Sequence, residues 1–388
     1  MLRSLYSGIS GLRAHQTMLD VTGNNIANVN TAGFKASSTQ FQDTLSQMTQ
    51  GAAGPQAETG GTNPAQIGLG VRVAGVSTNF AQGSSQSTGR ATDMMISGDG
   101  FFVTNKGGQQ LFTRAGSFNP DAAGQLVSPD GGILQGWSAV NGAVNTGGPV
   151  SGITLNSNTP VPAKATTQVG VDGNLPSDAL PNTTLERVVK VYDAVGAESN
   201  LALTFTKVAA GWEVSPDGGA TVSGTMTFNG GVLTSAATVN VGGIDVNVSQ
   251  VSSYAGMSSV AVNGQNGSAA GKLESYTLGS DGSVIGSFSN GVKQVLAKIA
   301  LAKFTNPSGL EKAGGSSYVA TANSGGVQVG GAGDAGLGSL SGGTLEMSNV
   351  DLSQEFTNLI VAQRGFQANA RIITTSDEVL QELGNLKR

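Results

Sequence analysis

The chain has a single histidine, His15, and no cysteine in 388 residues. Thiolate nucleophiles, disulfides and cysteine-held zinc or iron–sulfur centres are thereby excluded. One imidazole cannot build a histidine metal cluster, and a Ser/His/Asp relay would have to use His15, in a glycine-interrupted segment too weak alone to hold a catalytic geometry. The 25 acidic residues could supply the carboxylate pair of a glycosidase. Yet Asp99, Asp130, Asp172, Asp217 and Asp281 each precede a glycine, where aspartate stabilises the turn itself. Gly331, Gly333 and Gly336 match a Gly-x-Gly-x-x-Gly pattern, but the run continues as Leu-Gly-Ser-Leu-Ser-Gly-Gly and opens no helix that could cradle a phosphate. Phosphate loops, nucleophile elbows, His-Glu-x-x-His helices and calcium-binding loops have no counterpart in the sequence. No catalytic, cofactor-binding or metal-binding set emerges, so the residues point to interaction rather than reaction.

Composition narrows the class further. Glycine occurs 59 times, about twice its usual share, while charged residues make up 12% of the chain, about half the usual quarter. Turns must be numerous and surface charge sparse. A single core rarely grows beyond about 250–300 residues, so this length implies two or three domains. Twenty Lys+Arg against 25 Asp+Glu give a net charge of −5, which offers no field to recruit nucleic acid. The most apolar stretch, Val295 to Phe304, is interrupted by Lys298 and Lys303, so no membrane insertion is expected. Ser4, Ser7, Gly8, Ser10, Gly11 and Arg13 break up any apolar signal-peptide core at the start, and export would need a route without a cleaved signal peptide.

The ends of the chain read as helices. Leu5, Leu12, Leu19 and Ile26 recur every seven residues, with Leu2 and Ile9 on the companion row. Toward the C-terminus Leu352, Leu359, Phe366, Ile373 and Leu380 repeat the same spacing, with Phe356 beside them and a second stripe through Ile372, Val379, Leu383 and Leu386. Two stripes on one helix imply more than one partner surface. Gly8, Gly11 and Gly23 each cost a helix about 1 kcal/mol, so the N-terminal helix should order only on association, with the C-terminal helix or with neighbouring subunits. The middle reads as short strands, among them Val188 to Tyr192, Leu201 to Phe205, Thr225 to Phe228, Ile244 to Val248 and Tyr276 to Leu278. Hairpin-forming steps punctuate them at Asp99-Gly100, Asp130-Gly131, Asn141-Gly142, Asp172-Gly173, Asp217-Gly218, Asn229-Gly230, Asn263-Gly264, Asp281-Gly282 and Asn290-Gly291. Residues 40–70 and 305–345, rich in Gly, Ser and Asn, read as extended connections.

The expected fold is mainly β with α-helical termini, a nested multi-domain rod in which the chain goes out and comes back. Residues 1–30 and 352–388 would pair as a helical coiled-coil domain, and 31–70 with 341–351 would be extended connecting segments. Residues 71–150 and 272–340 would form a discontinuous inner β domain, with 151–271 inserted as an outer β domain.

Thr22-Gly-Asn-Asn-Ile-Ala-Asn-Val-Asn-Thr-Ala-Gly-Phe-Lys35 ends the first helix. Asn28 and Asn30 suit the exit turn, Gly33 can take a left-handed conformation and Phe34 offers an apolar anchor beyond it. With Asn24, Asn25, Ile26, Ala27, Asn28, Thr31, Gly33 and Phe34 in place, this segment resembles a hallmark of the bacterial flagellar axial proteins, the rod and hook family. A second resemblance runs from Asp93 to Phe102, Phe112 to Phe118 and Asp130 to Trp137, and a third from Leu345 to Phe356 and Ile360 to Asn369. Length and the inserted middle set the chain beside hook members rather than shorter distal rod members. The resemblance implies a homopolymer, a curved flexible tube acting as a universal joint between motor and filament, located outside the cell on the basal body. It implies as partners a hook cap, the distal rod, hook-filament junction proteins and the flagellar export apparatus. Leu5, Ile9, Leu12, Leu19, Ile26, Leu352, Phe356, Leu359, Phe366, Ile373 and Leu380 would pack the subunits. A distal rod subunit, or a secreted β-rich adhesin binding through 151–271, are the alternatives.

Overall fold

The computed structural model describes residues 2–55, 60–140, 142–155, 160–216, 221–334 and 336–385, with Leu2 described by its backbone only. The turns expected at Asn141 and Asp217 and the stripe position Leu386 lie outside the described residues. Two compact units emerge: residues 1–155, 277–285 and 295–388 form unit 1, and 156–276 with 286–294 form unit 2.

Unit 1 holds both terminal helices, α1 (Leu2–Ala27) and α2 (Leu352–Asn385). Asp351 starts α2: its carboxylate accepts the backbone N–H of Ser353 at 2.8 Å and of Gln354 at 3.2 Å, satisfying donors that the first turn leaves free. Glu355 adds negative charge where the helix dipole favours it. At the other end of the chain, α1 stops where the Asn28 amide folds back to donate to the Asn24 carbonyl at 2.9 Å.

The β body of unit 1 runs in hydrogen-bonded order through Ile133–Val140, Phe101–Lys106, Gln109–Thr113, Ser317–Val319 and Glu311–Gly314. Strand Lys293–Lys303 pairs with the first two, setting Ile299 opposite Gly136 and Leu301 opposite Phe102. Phe101, Phe112, Phe304 and Tyr318 fill one core, with the Phe112 and Phe304 rings edge-to-face at 4.8 Å.

Two expectations are modified by this architecture. Residues 40–70 and 305–345, read as extended connections, hold short paired strands between unpaired stretches. Ser37–Asp43 runs antiparallel to Val71–Thr78, and Ser46–Gln50 to Ala65–Gly68. Glu311–Gly314 joins Ser317–Val319, and Ser339–Gly342 pairs with Met94–Ser97. Their apolar anchors are few, but Tyr318 and Leu340 are buried, and ladder hydrogen bonds need no alternation to form. Second, Asp172-Gly173 and Asn263-Gly264 are not turns but lie inside strands Gln168–Asn174 and Ala261–Gln265, which pair with each other across an irregular register. Gly173 stands at φ 100°, and a Cβ there would run into the Ser259 carbonyl oxygen, so the close approach of that segment requires glycine inside the strand.

Unit 2 has two sheets around one core. Gln168–Asn174 pairs in parallel with Ile244–Ser252 in one, and Thr184–Tyr192, Glu198–Val208, Gly211–Ser215 and Gly224–Met226 follow one another in the second. Leu175, Leu203, Phe205, Trp212 and Met226 are fully buried between them. Its tight hairpin between Val241 and Ile244 uses Gly242 and Gly243, with φ of 59° and 87°, the left-handed pair that two-residue β-turns demand.

Candidate functional site

The exit from α1 is where the chain's two ends meet the β body. Asn25 is fully buried; its amide nitrogen donates to the Ser37 carbonyl at 2.7 Å and to Glu355 Oε1 at 3.1 Å, and its oxygen accepts the Ser37 N–H at 3.0 Å. Gly33 stands at φ 69°, and a Cβ there would lie 2.7 Å from the Ala115 Cα. Both the conformation and the space therefore require glycine. The Gly33 N–H donates to the Glu346 carbonyl at 2.8 Å.

Two residues on, Lys35 Nζ sits 2.6 Å from Glu346 Oε1, both side chains fully buried, and donates to the Ala81 carbonyl at 2.7 Å. Arg114 Nη1 approaches Glu346 Oε2 at 3.5 Å. Burial pulls the Lys35 ammonium below its ordinary value, with the Glu346 carboxylate opposing; Arg114 is pulled down by burial and held up by Glu346 in the same way. Asn349 completes the junction: its oxygen accepts the Ala36 N–H at 2.8 Å, and its amide donates to the Asn79 and Ala81 carbonyls at 2.8 and 3.0 Å. Beside it, Lys312 lies over the Phe34 ring at 5.5 Å and donates to Ser37 Oγ at 2.8 Å, its ammonium lowered by burial.

The helix pair forms the second feature. A Cβ on Gly8 would lie 3.5 Å from Ile372 and Ile373, one on Gly11 would lie 2.8 Å from the Asn369 side chain, and one on Gly365 would lie 2.6 Å from His15. The seam between α1 and α2 is thus built on small residues, with Gly8, Gly11, Ala14 and Ala362 buried. Along α1, Ser10 Oγ accepts the Val71 N–H at 3.2 Å, so the strand pair Ser37–Asp43/Val71–Thr78 packs on a further face.

The heptad residues sit around that seam. Leu5, Leu12, Leu19, Ile26, Leu359, Phe366 and Ile373 are half-buried, whereas Ile9, Leu352, Phe356 and Leu380 are exposed, Phe356 at 52%. Ile360, Val361, Ile372, Val379 and Leu383 are exposed as well. In the motif, Asn25 and Gly33 are buried, Ile26, Asn28, Thr31 and Phe34 half-buried, and Asn24 and Ala27 exposed. Sequence reasoning does not single out Lys35, Arg114, Glu346, Asn349 or Glu355, although each lies within or directly beside one of the quoted motifs. For Lys35, Arg114, Glu346 and Glu355 the available signal is charge, since few ionic residues occur in those segments; Asn349 carries none.

No group of three or more His, Cys, Asp or Glu side chains able to hold a metal occurs among the described residues, and no described helix is long and apolar enough to cross a membrane.

Three family models match: a flagellar basal body rod protein model over residues 5–35, a flagellar hook protein FlgE/F/G D1 domain over 95–175, and a flagellar basal body rod FlgEFG protein C-terminal model over 341–386. Among curated relatives, the flagellar hook protein FlgE of Borreliella burgdorferi is 39% identical, with all of both chains covered. The flagellar hook protein FlgE of Salmonella typhimurium is 36% identical over 99% of this chain and 100% of its own. The flagellar basal-body rod protein FlgG of Bacillus subtilis is 35% identical, again with both chains fully covered.

Proposed function

The chain belongs to the flagellar hook protein family, and from that membership we propose how it works as a subunit of the bacterial flagellar hook. It is a structural protein and not an enzyme. Copies polymerise into a curved, flexible tube that transmits torque from motor and rod to filament. The observation that carries the reading for these residues is the unpartnered apolar surface of the helix pair: Ile9 on α1 and Leu352, Phe356, Ile360, Val361, Val379, Leu380 and Leu383 on α2 are exposed although both helices already pack on each other.

Surface of that kind on a long helix marks an association site. A head-to-tail contact that does not close on itself generates a helical polymer, so these faces, with half-buried Leu5, Leu12, Leu19, Ile26, Leu359, Phe366 and Ile373 behind them, pack neighbouring subunits. The hook cap, distal rod, hook-filament junction proteins and the flagellar export apparatus are the partners that this role requires. Export proceeds without a cleaved signal peptide, the chain passing unfolded and adding outside the cell. The sparse charge of residues 151–271 lets contacts between subunits slide between near-equivalent registers as the tube bends.

The test is electron microscopy of concentrated full-length protein under salting-out conditions, beside a chain lacking residues 1–30 and 352–388. Curved tubes from the full-length chain alone are expected. Straight tubes would favour a rod subunit, and tubes from the shortened chain would remove the terminal helices from the assembly contact.

A further inference from the structure

Glu346 is a meeting point for distant parts of the chain. Its Oε1 accepts Lys35 Nζ and, at 2.9 Å, the Gly83 N–H; its Oε2 faces Arg114; its main-chain carbonyl accepts the Gly33 N–H. Lys35 lies 311 residues before it and Arg114 232 residues before it. Two buried cations share this one carboxylate, and no other acid is within 4 Å of either among the described residues. A desolvated cation without a counter-charge is strongly disfavoured. Without the strand Thr344–Glu346, docking this turn would bury Lys35 beside Arg114 with no carboxylate between them, so the docked position is disfavoured until that strand arrives. Phe34, the apolar anchor of that turn, is only half-buried and cannot hold it down alone. Asn349 to Ala36 and Glu355 to Asn25 tie the turn to the same C-terminal stretch, while the Ala81 carbonyl, the Asn79 N–H and Lys312 hold it from elsewhere but bring no counter-charge.

We propose that the Lys35–Glu346–Arg114 cluster is an end-sensing latch: α1 and α2 take up their paired position on the β body only when the C-terminal segment delivers Glu346, so an incomplete chain does not present its helical association faces. The inference rests on the reading of the chain as a polymer subunit. It makes the ordering of α1 conditional on a residue in the last eighth of the sequence rather than on the helix's own stability.

The experiment compares full-length wild type, Glu346→Gln, Glu346→Asp and the apolar triple variant Lys35→Met/Arg114→Met/Glu346→Met. The critical concentration for tube formation is measured by sedimentation and electron microscopy. Amide exchange is then followed in the assembled material, for α1 and α2 against strands Phe101–Lys106 and Glu198–Val208. Glu346→Gln is expected to raise the critical concentration by about tenfold or more, the order that loss of a buried charge's partner implies. Helix amides should exchange faster while strand amides keep their protection. Glu346→Asp should fall between, and the triple variant, with no charge left to satisfy, should assemble again. Assembly of Glu346→Gln at the wild-type concentration overturns the latch. So does loss of strand protection in step with the helices, or failure of the triple variant to recover. A wild-type chain that forms no tube overturns the polymer reading itself, and the latch with it.

Discussion

At the scale of single residues, the motif after α1 separates side chains that look alike in sequence. Asn24 and Asn25 are adjacent, yet only Asn25 is buried, with three hydrogen bonds to Ser37 and Glu355. Asn25→Ala strands those partners and should cost about 1–3 kcal/mol, read as a lowered melting temperature of assembled tubes, whereas Asn24→Ala should barely shift it. Which asparagine is structural is not legible in the sequence, because the distinction depends on Ser37 and on Glu355, 330 residues away. Gly33 is legible: its left-handed φ follows from glycine in a helix-exit turn. Lys35 and Glu346 are not, since nothing local says that a lysine after Phe34 is buried. The alkaline limb of stability belongs to this scale too. Burial raises the Tyr318 phenol from 10.0 to about 12, so above pH 10 the unfolded chain releases a proton that the folded chain keeps. Stability is whole below pH 10 and falls as pH climbs toward 12, by up to about 2–3 kcal/mol at 1.36 kcal/mol per pH unit. Tyr318→Phe should flatten that fall in denaturant titrations at pH 9 and 11.5. Lys35, whose value is lowered by burial, works in the opposite sense on the alkaline side of neutrality and is common to both chains.

Among the elements, the helix pair shows both how far periodicity reaches and where it stops. The sevenfold recurrence locates α1 and α2, because apolar residues at that spacing must share one helical face. It does not locate the seam. Gly8, Gly11 and Gly365 let the two helices approach so closely that large side chains are displaced to the flanks, where Phe356 and Leu380 remain exposed. A pattern search weighted by hydrophobicity passes over glycine, and composition alone marks these residues as helix breakers. The contrast between Gly11 and Gly23 tests the point. A methyl group added at Gly23 would meet nothing within 4 Å, while one at Gly11 would meet Asn369, whose amide is held to the Gly365 carbonyl at 2.8 Å. Gly23→Ala should stabilise the helix by up to about 1 kcal/mol through propensity. Gly11→Ala should lose that gain to the displaced Asn369, and Gly11→Leu should cost about 1–3 kcal/mol by overpacking. Helical ellipticity at 222 nm through thermal denaturation of assembled tubes reads both signs, and a gain for Gly11→Leu would place the seam elsewhere.

For the whole molecule, sparse charge decides what kind of force can hold copies together. Charged residues are 12% of the sequence, and the four ion pairs found among the described residues include two in the buried Glu346 cluster, where solvent ions cannot screen them. What the outward faces of α1 and α2 offer instead is apolar area. The chain-out, chain-back course is legible because the two ends carry matching stripes; the exact limits of each unit are not, since the crossing strands near residues 277–295 belong partly to each and have no compositional break. Apolar contacts strengthen in sulfate, which is excluded from protein surface, while simple screening by sodium chloride only relieves the repulsion between copies of net charge −5. The critical concentration for assembly should therefore fall steeply with ammonium sulfate and stay level or fall slightly between about 0.1 and 1 M sodium chloride, a range over which the screening length shrinks from about 10 to 3 Å. Sedimentation of the full-length chain across both salts measures it. A severalfold rise in sodium chloride would mean that exposed ion pairs between subunits, rather than the faces of α2, hold the tube.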